Sequence, residues 1–279
     1  VDPNNSPNLG GGFWPLGTRD QYIFSGGLNF AALILGSPQP GFPWPGDTVG
    51  GWFMDPRGDQ LHGEALTPIA DGLNATDWLR WPSAGRATAS SLFAPARLGR
   101  ATVSDQDSWV RYWDGGTGQN TGRKHPAGLM VDQRTMSFTT PGLEDVVFVV
   151  YRLVNVTARN PAVYQGLAAA GYGPEDIADI AALGATFQDR MERKYQIQIP
   201  DGGYALDYLY VSHNEDSDVG SAGSNYSNLN LVFAAALAWK SDFREPTWQY
   251  PVEIFAPPFA QAPGFVANAF LRTPPAVLP

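Results

Sequence analysis

Glycine and proline punctuate this chain from end to end, with 31 and 24 copies spread over 279 residues. Each glycine loosens the backbone locally, and each proline fixes φ and removes an amide donor. Elements between such breaks stay short and are joined by turns, which favours strands over long helices. Hydrophobic residues at 43%, including nine tryptophans, are ample for a core and exclude a disordered chain. The expected fold is mainly β, sandwich or jelly-roll-like, with a helical insertion and long Gly/Pro-rich loops.

Hydrophobic patterning places the elements. Residues 21–35 carry two strand-like runs around Ser25-Gly26-Gly27, a turn or bulge signal. Residues 49–54 read as a short strand. In 109–113 (WVRYW) alternation sets Trp109, Arg111 and Trp113 on one face, with Val110 and Tyr112 on the other. Residues 144–156 form the strongest strand signal, apolar on both faces as far as Tyr151, which predicts a central strand covered on both sides. Pro174-Glu175-Asp176 opens a helix with proline and acids where the dipole favours them, and Arg190, Arg193 and Lys194 close it. Between these ends Ile177, Ile180, Ala181, Gly184, Phe187 and Met191 recur at helical spacing.

Beyond the helix, 195–199 and 205–211 are expected to pair as a hairpin about Pro200-Asp201-Gly202-Gly203. Residues 229–239 fit a buried strand or a short helix on pattern and are read as one strand, with 250–255 and 266–271 as two more. The domain reading is an extended N-terminal arm over 1–16, a single β-rich domain over 17–272 with the helical insertion at 174–195, and a Pro-rich exit segment over 273–279.

Charge is sparse and acidic, 18 basic against 27 acidic residues for a net of −9. No basic stripe occurs, so nucleic acid is not an expected partner. No apolar run approaches the roughly 20 residues that span a bilayer as a helix. Absent cysteines remove disulfides, thiolate metal sites and cysteine nucleophiles together.

The acidic excess gathers at 201–242, where 212–228 reads as a polar loop between two apolar runs. Asn214, Glu215, Asp216, Asp218, Asn225 and Asp242 supply hard oxygen donors there, the chemistry that suits calcium. The EF-hand spacing is not met, because Gly220 and Ser221 stand where ligand and glycine belong. A merely solvated loop remains the alternative.

Catalytic patterns are missing: no G-x-S-x-G elbow and no H-E-x-x-H occur. The 114–124 loop (DGGTGQNTGRK) fails the phosphate-loop register, and Pro126 follows it. The Arg57-Gly58-Asp59 tripeptide is too short to carry function. Asp105 with Asp107, or Asp55 with Glu64, are carboxylates that could serve glycoside hydrolysis at the right separation.

In three blocks, 13–28 (FWPLGTRDQYIFSGGL), 216–226 (DSDVGSAGSNY) and 265–274 (FVANAFLRTP), the chain resembles a family of long, uncharacterised secreted bacterial proteins. Many members carry a C-terminal sorting domain. Asp216, Asp218 and Gly220 match the family's acidic loop, whereas Ser221 stands where an acid is usual. The resemblance implies an extracellular or cell-surface protein, with this chain the N-terminal part of something longer, and the start at Val1 without Met reads as signal-peptide removal.

The functional expectation is a non-enzymatic structural or surface protein that self-assembles as a filament, coat or matrix subunit, its partners being other copies or other surface proteins. A carbohydrate-binding or carbohydrate-active domain with a glycan partner, and a calcium-stabilised adhesion module, are the alternatives.

Overall fold

The computed structural model describes residues 12–13, 21–23, 25–35, 48–54, 63–73, 104–116, 125–216, 225–230, 235–240 and 265–269. The expected strand over 250–255, the exit segment over 273–279, all of the arm over 1–16 except 12–13, and the Arg57-Gly58-Asp59 tripeptide lie outside them. Strands dominate, as the glycine and proline punctuation demands, and one long helix interrupts them. The chain divides into two compact units, 27–212 and 1–26 with 213–279.

The larger unit is built on an antiparallel sheet. Its strands are β5 (Glu64–Ala65), β6 (Ala70–Asp71), β7 (Gln106–Trp113), β8 (Leu129–Ser137) and β9 (Val147–Asn155). The order is β5-β7-β8-β9, with β6 also on β7. β7 and β8 pair over eight residues, β8 and β9 over nine, without a register shift. The alternation read from WVRYW sits in β7, where large side chains on both faces are buried. β3 (Ser25–Leu35) and β4 (Thr48–Met54) pair antiparallel in a second sheet of order β10-β3-β4, β10 being Ala205–Asp216. Leu28, Phe30, Ala32 and Ile34 of β3 join Val110, Tyr112 and Val131 in one hydrophobic cluster.

Helix α1 spans Pro174–Tyr195, as the capping pattern predicts, and follows a 3-10 segment over Pro161–Ala170. Its stripe of Ile177, Ile180, Phe187 and Met191 is buried. Trp113 meets Phe187 edge-on at 6.4 Å. Gly184 is required by proximity, since a Cβ there would overlap the Ala158 carbonyl oxygen and the Tyr164 hydroxyl. That hydroxyl donates to the Ala158 carbonyl at 2.8 Å and accepts from the Ala158 amide at 3.0 Å. Burial pushes its pKa up to about 12, so it stays protonated and able to donate.

The hairpin expected over 195–199 and 205–211 is not formed. The helix instead runs through Tyr195 and ends at Gln196, whose φ of 58° lets its amide and that of Ile197 return to Glu192 and Met191. Residues 196–204 are consequently a connection, with a turn closed by the Gly203 amide on the Pro200 carbonyl at 2.7 Å.

β9 also differs from expectation. It pairs only with β8 among the described strands, so it ends its sheet; Val147 and Val149 are 62% and 40% exposed. The two-sided apolar run that suggested a covered central strand is an apolar edge.

In the smaller unit β1 (Gly12–Phe13) pairs with β2 (Gln21–Ile23). β11 (Asn225–Asn230), β12 (Ala235–Lys240) and β13 (Phe265–Ala269) form an antiparallel sheet in that order. The single strand expected over 229–239 is therefore two, and the loop expected over 212–228 is strand at both ends.

Candidate functional site

The oxygen-rich residues are distributed differently from a single ligand loop. Asn214, Glu215 and Asp216 end β10, and Asn225 begins β11 opposite Lys240. Asp218 and Asp242 lie outside the described residues. Successive strand residues project to opposite sides, so Asn214 and Glu215 diverge. Glu215 instead shares a side with His213, whose Nε2 is 3.9 Å from the carboxylate. Burial lowers the His213 pKa, and the attraction of Glu215 offsets that only in part. Among the described residues no group of three or more His, Asp or Glu side chains is arranged to hold a metal.

The charged groups that the structure does bring together lie on the β7–β8 seam. Register sets Arg111 directly opposite Asp132, and the guanidinium grips the carboxylate through Nε at 2.7 Å and Nη2 at 3.0 Å. Tyr172, between the 3-10 segment and α1, donates its hydroxyl to the same carboxylate at 2.6 Å. Asp176 of the first turn of α1 stands 4.0 Å from Arg111. The Tyr172 ring faces Arg152 of β9 at 4.9 Å and Arg111 at 5.9 Å. Burial works against the Arg111 charge, yet Asp132 outweighs it and raises the pKa above its usual range. Tyr172 is pushed up first by burial and then by Asp132, which keeps the phenol a donor.

Two further pairings extend the seam. Arg134 bonds the fully buried Asp107, which also accepts from Ser104. Asp114 accepts the Ala127 amide at 2.6 Å and the Leu129 amide at 2.7 Å, which ties the end of β7 to the start of β8. Glu64 of β5 accepts from Trp113 Nε1 at 2.8 Å and Arg190 Nη1 at 3.1 Å; Arg190 also donates to the Gly115 carbonyl at 2.6 Å.

These contacts reassign the carboxylates considered for glycoside hydrolysis. Asp107 is locked in an ion pair, and Glu64 ties α1 to β7. Asp105 is exposed and accepts the Thr139 amide and hydroxyl, bonds that lower its pKa. Asp55 lies outside the described residues. A buried, mutually bonded set of this kind fixes register and docks the helix on the sheet.

The exposed face is chemically opposite. Besides the valines of β9, three consecutive residues of β10 reach solvent: Tyr208, Leu209 and Tyr210. Among the described residues, no helix is long and apolar enough to cross a membrane. Neither a protein-family model, a curated protein nor a solved structure matches the chain.

Proposed function

We propose that the chain is a non-enzymatic structural subunit of an extracellular surface, assembling with copies of itself through the edge of β9. The observation that carries this reading is an unblunted edge: nine residues in unbroken register, free of proline, and free of charge until Arg152. Edge strands are ordinarily protected by charge, proline or a bulge, because their outward amides and carbonyls template another strand. Val147 and Val149 would be buried by such an addition, contributing about 2 kcal/mol beyond the new hydrogen bonds. The sandwich or jelly-roll arrangement belongs to the same proposal, supported by the shared cluster of β3 and β7–β8 side chains. The extracellular placement rests on the resemblance in residues 13–28, 216–226 and 265–274.

Light scattering and negative-stain electron microscopy test it on the native chain and on the Val147→Lys, Val149→Lys double variant. Ordered particles or filaments are expected from the native chain and monomers from the variant. A native monomer at high concentration would remove the assembly reading.

A further inference from the structure

We infer that the Tyr208–Leu209–Tyr210 run of β10 is a binding platform for a neutral oligosaccharide, a site independent of assembly through β9. The run lies between Leu206 and Val211, both of which pack on the core, yet its three side chains are 61%, 42% and 65% exposed. Tyr208 has φ 49°, a left-handed conformation that an aromatic residue adopts rarely and at a cost. A left-handed residue interrupts the pleat at that point, so this stretch of β10 is a poor template for an added strand. Recognition at this edge falls to the side chains.

Size and charge choose the occupant. With those exposures the three side chains offer roughly 350 Å² of surface, under half of the roughly 800 Å² that each partner contributes to a stable protein interface. Two tyrosines two positions apart on a strand stand about 7 Å from one another. Exposed tyrosine rings this near in the chain suit the apolar faces of sugar rings, while the phenol hydroxyls and the adjacent Asp207 offer hydrogen bonds to sugar hydroxyls. No lysine or arginine occurs between Lys194 and Lys240, and the chain carries a net charge of −9. This stretch offers no cation to a sulfated, phosphorylated or uronic-acid glycan, which favours a neutral ligand.

The test is an array of neutral and anionic oligosaccharides, followed by calorimetric titration of the native chain with cellohexaose, laminarihexaose, xylohexaose and chitohexaose. Binding of at least one neutral oligosaccharide is expected, weakened tenfold or more in Tyr210→Ala and retained in Tyr210→Phe, which keeps the ring. Val147→Lys should bind as the native chain does. Tyr208→Ala is a second loss-of-binding variant, and its melting curve shows whether it folds; the Tyr210 pair decides the question by itself. No neutral ligand, binding confined to anionic glycans, or equal affinity in Tyr210→Ala would each overturn the site. A protein dimer dissolved by Tyr210→Ala without any glycan binding would overturn it equally.

Discussion

β9 and β10 both end a sheet among the described strands and both carry large apolar side chains into solvent, but their backbones differ. β9 keeps nine residues in unbroken register with β8, so its outer edge repeats the spacing another strand needs. β10 contains the left-handed Tyr208, which departs from that regular backbone, and three consecutive side chains there are exposed. Exposed apolar area alone therefore does not define what a surface binds. Backbone regularity separates an edge suited to strand addition from one suited to side-chain recognition.

The regular edge depends on the strand beneath it, and removing that support gives the largest expected effect. Asp132→Ala strands the buried Arg111 and takes the acceptor from Tyr172, at a cost of about 3–5 kcal/mol. Urea unfolding measures it; a loss below about 1 kcal/mol would mean the seam does not hold the sheet. Replacing Arg111 and Asp132 together with Met and Leu should cost less than Asp132→Ala, because the guanidinium is then not left buried without its main carboxylate, although Asp176 and the Tyr172 hydroxyl each lose one partner.

Next in size is the paired lysine substitution at Val147 and Val149. It should abolish assembly while leaving monomer stability within about 0.5 kcal/mol, as for other exposed positions. Assembly that survives it would make the two edges equivalent and break the contrast. A glycine placed at each edge sharpens that contrast further. At Tyr208 it relieves the left-handed backbone and should stabilise by about 1 kcal/mol, whereas at Val149 it should destabilise by about 1 kcal/mol. Thermal melts of the two variants moving in the same direction would remove the backbone distinction.

The smallest effect is the pH response of β10. Its His213 has a folded pKa held below the unfolded value of about 6.5 by burial, so the unfolded chain takes up the proton more readily. Stability from this group is present above the unfolded pKa and declines as pH falls below it. In His213→Gln that component should vanish, seen as a flatter stability profile between about pH 5 and 8; an unchanged slope would assign the response elsewhere.

Local chemistry made much of this legible in the sequence. Proline, acids and the apolar stripe of 174–195 located α1 because capping and helical period are written within the element itself. WVRYW likewise announced a strand, and the structure buries the large side chains on both of its faces. The edge position of β9 was not legible, because valines facing a covering layer and valines facing solvent give the same text. The Arg111–Asp132 and Arg134–Asp107 pairs depend on register between strands 20 or more residues apart, although charges at alternate positions amid bulky apolar residues (Asp132 and Arg134 in MVDQRTM) were the available signal. Gln196 and Tyr208 hold left-handed conformations that glycine would have advertised, so the connection that replaces the hairpin strand after α1 and the unusual backbone of β10 were not legible. Asn214, Glu215 and Asp216 read as loop residues by composition, yet they continue a strand begun at Ala205.

Hydrogen exchange along β9, compared between dilute and concentrated native protein, tests the central claim most directly. Alternate amides of β9 point away from β8. Assembly through this edge predicts that those amides become slow to exchange only as concentration rises, while the amides bonded to β8 stay slow throughout. Outward amides that exchange equally fast at every concentration at which particles are present would contradict it.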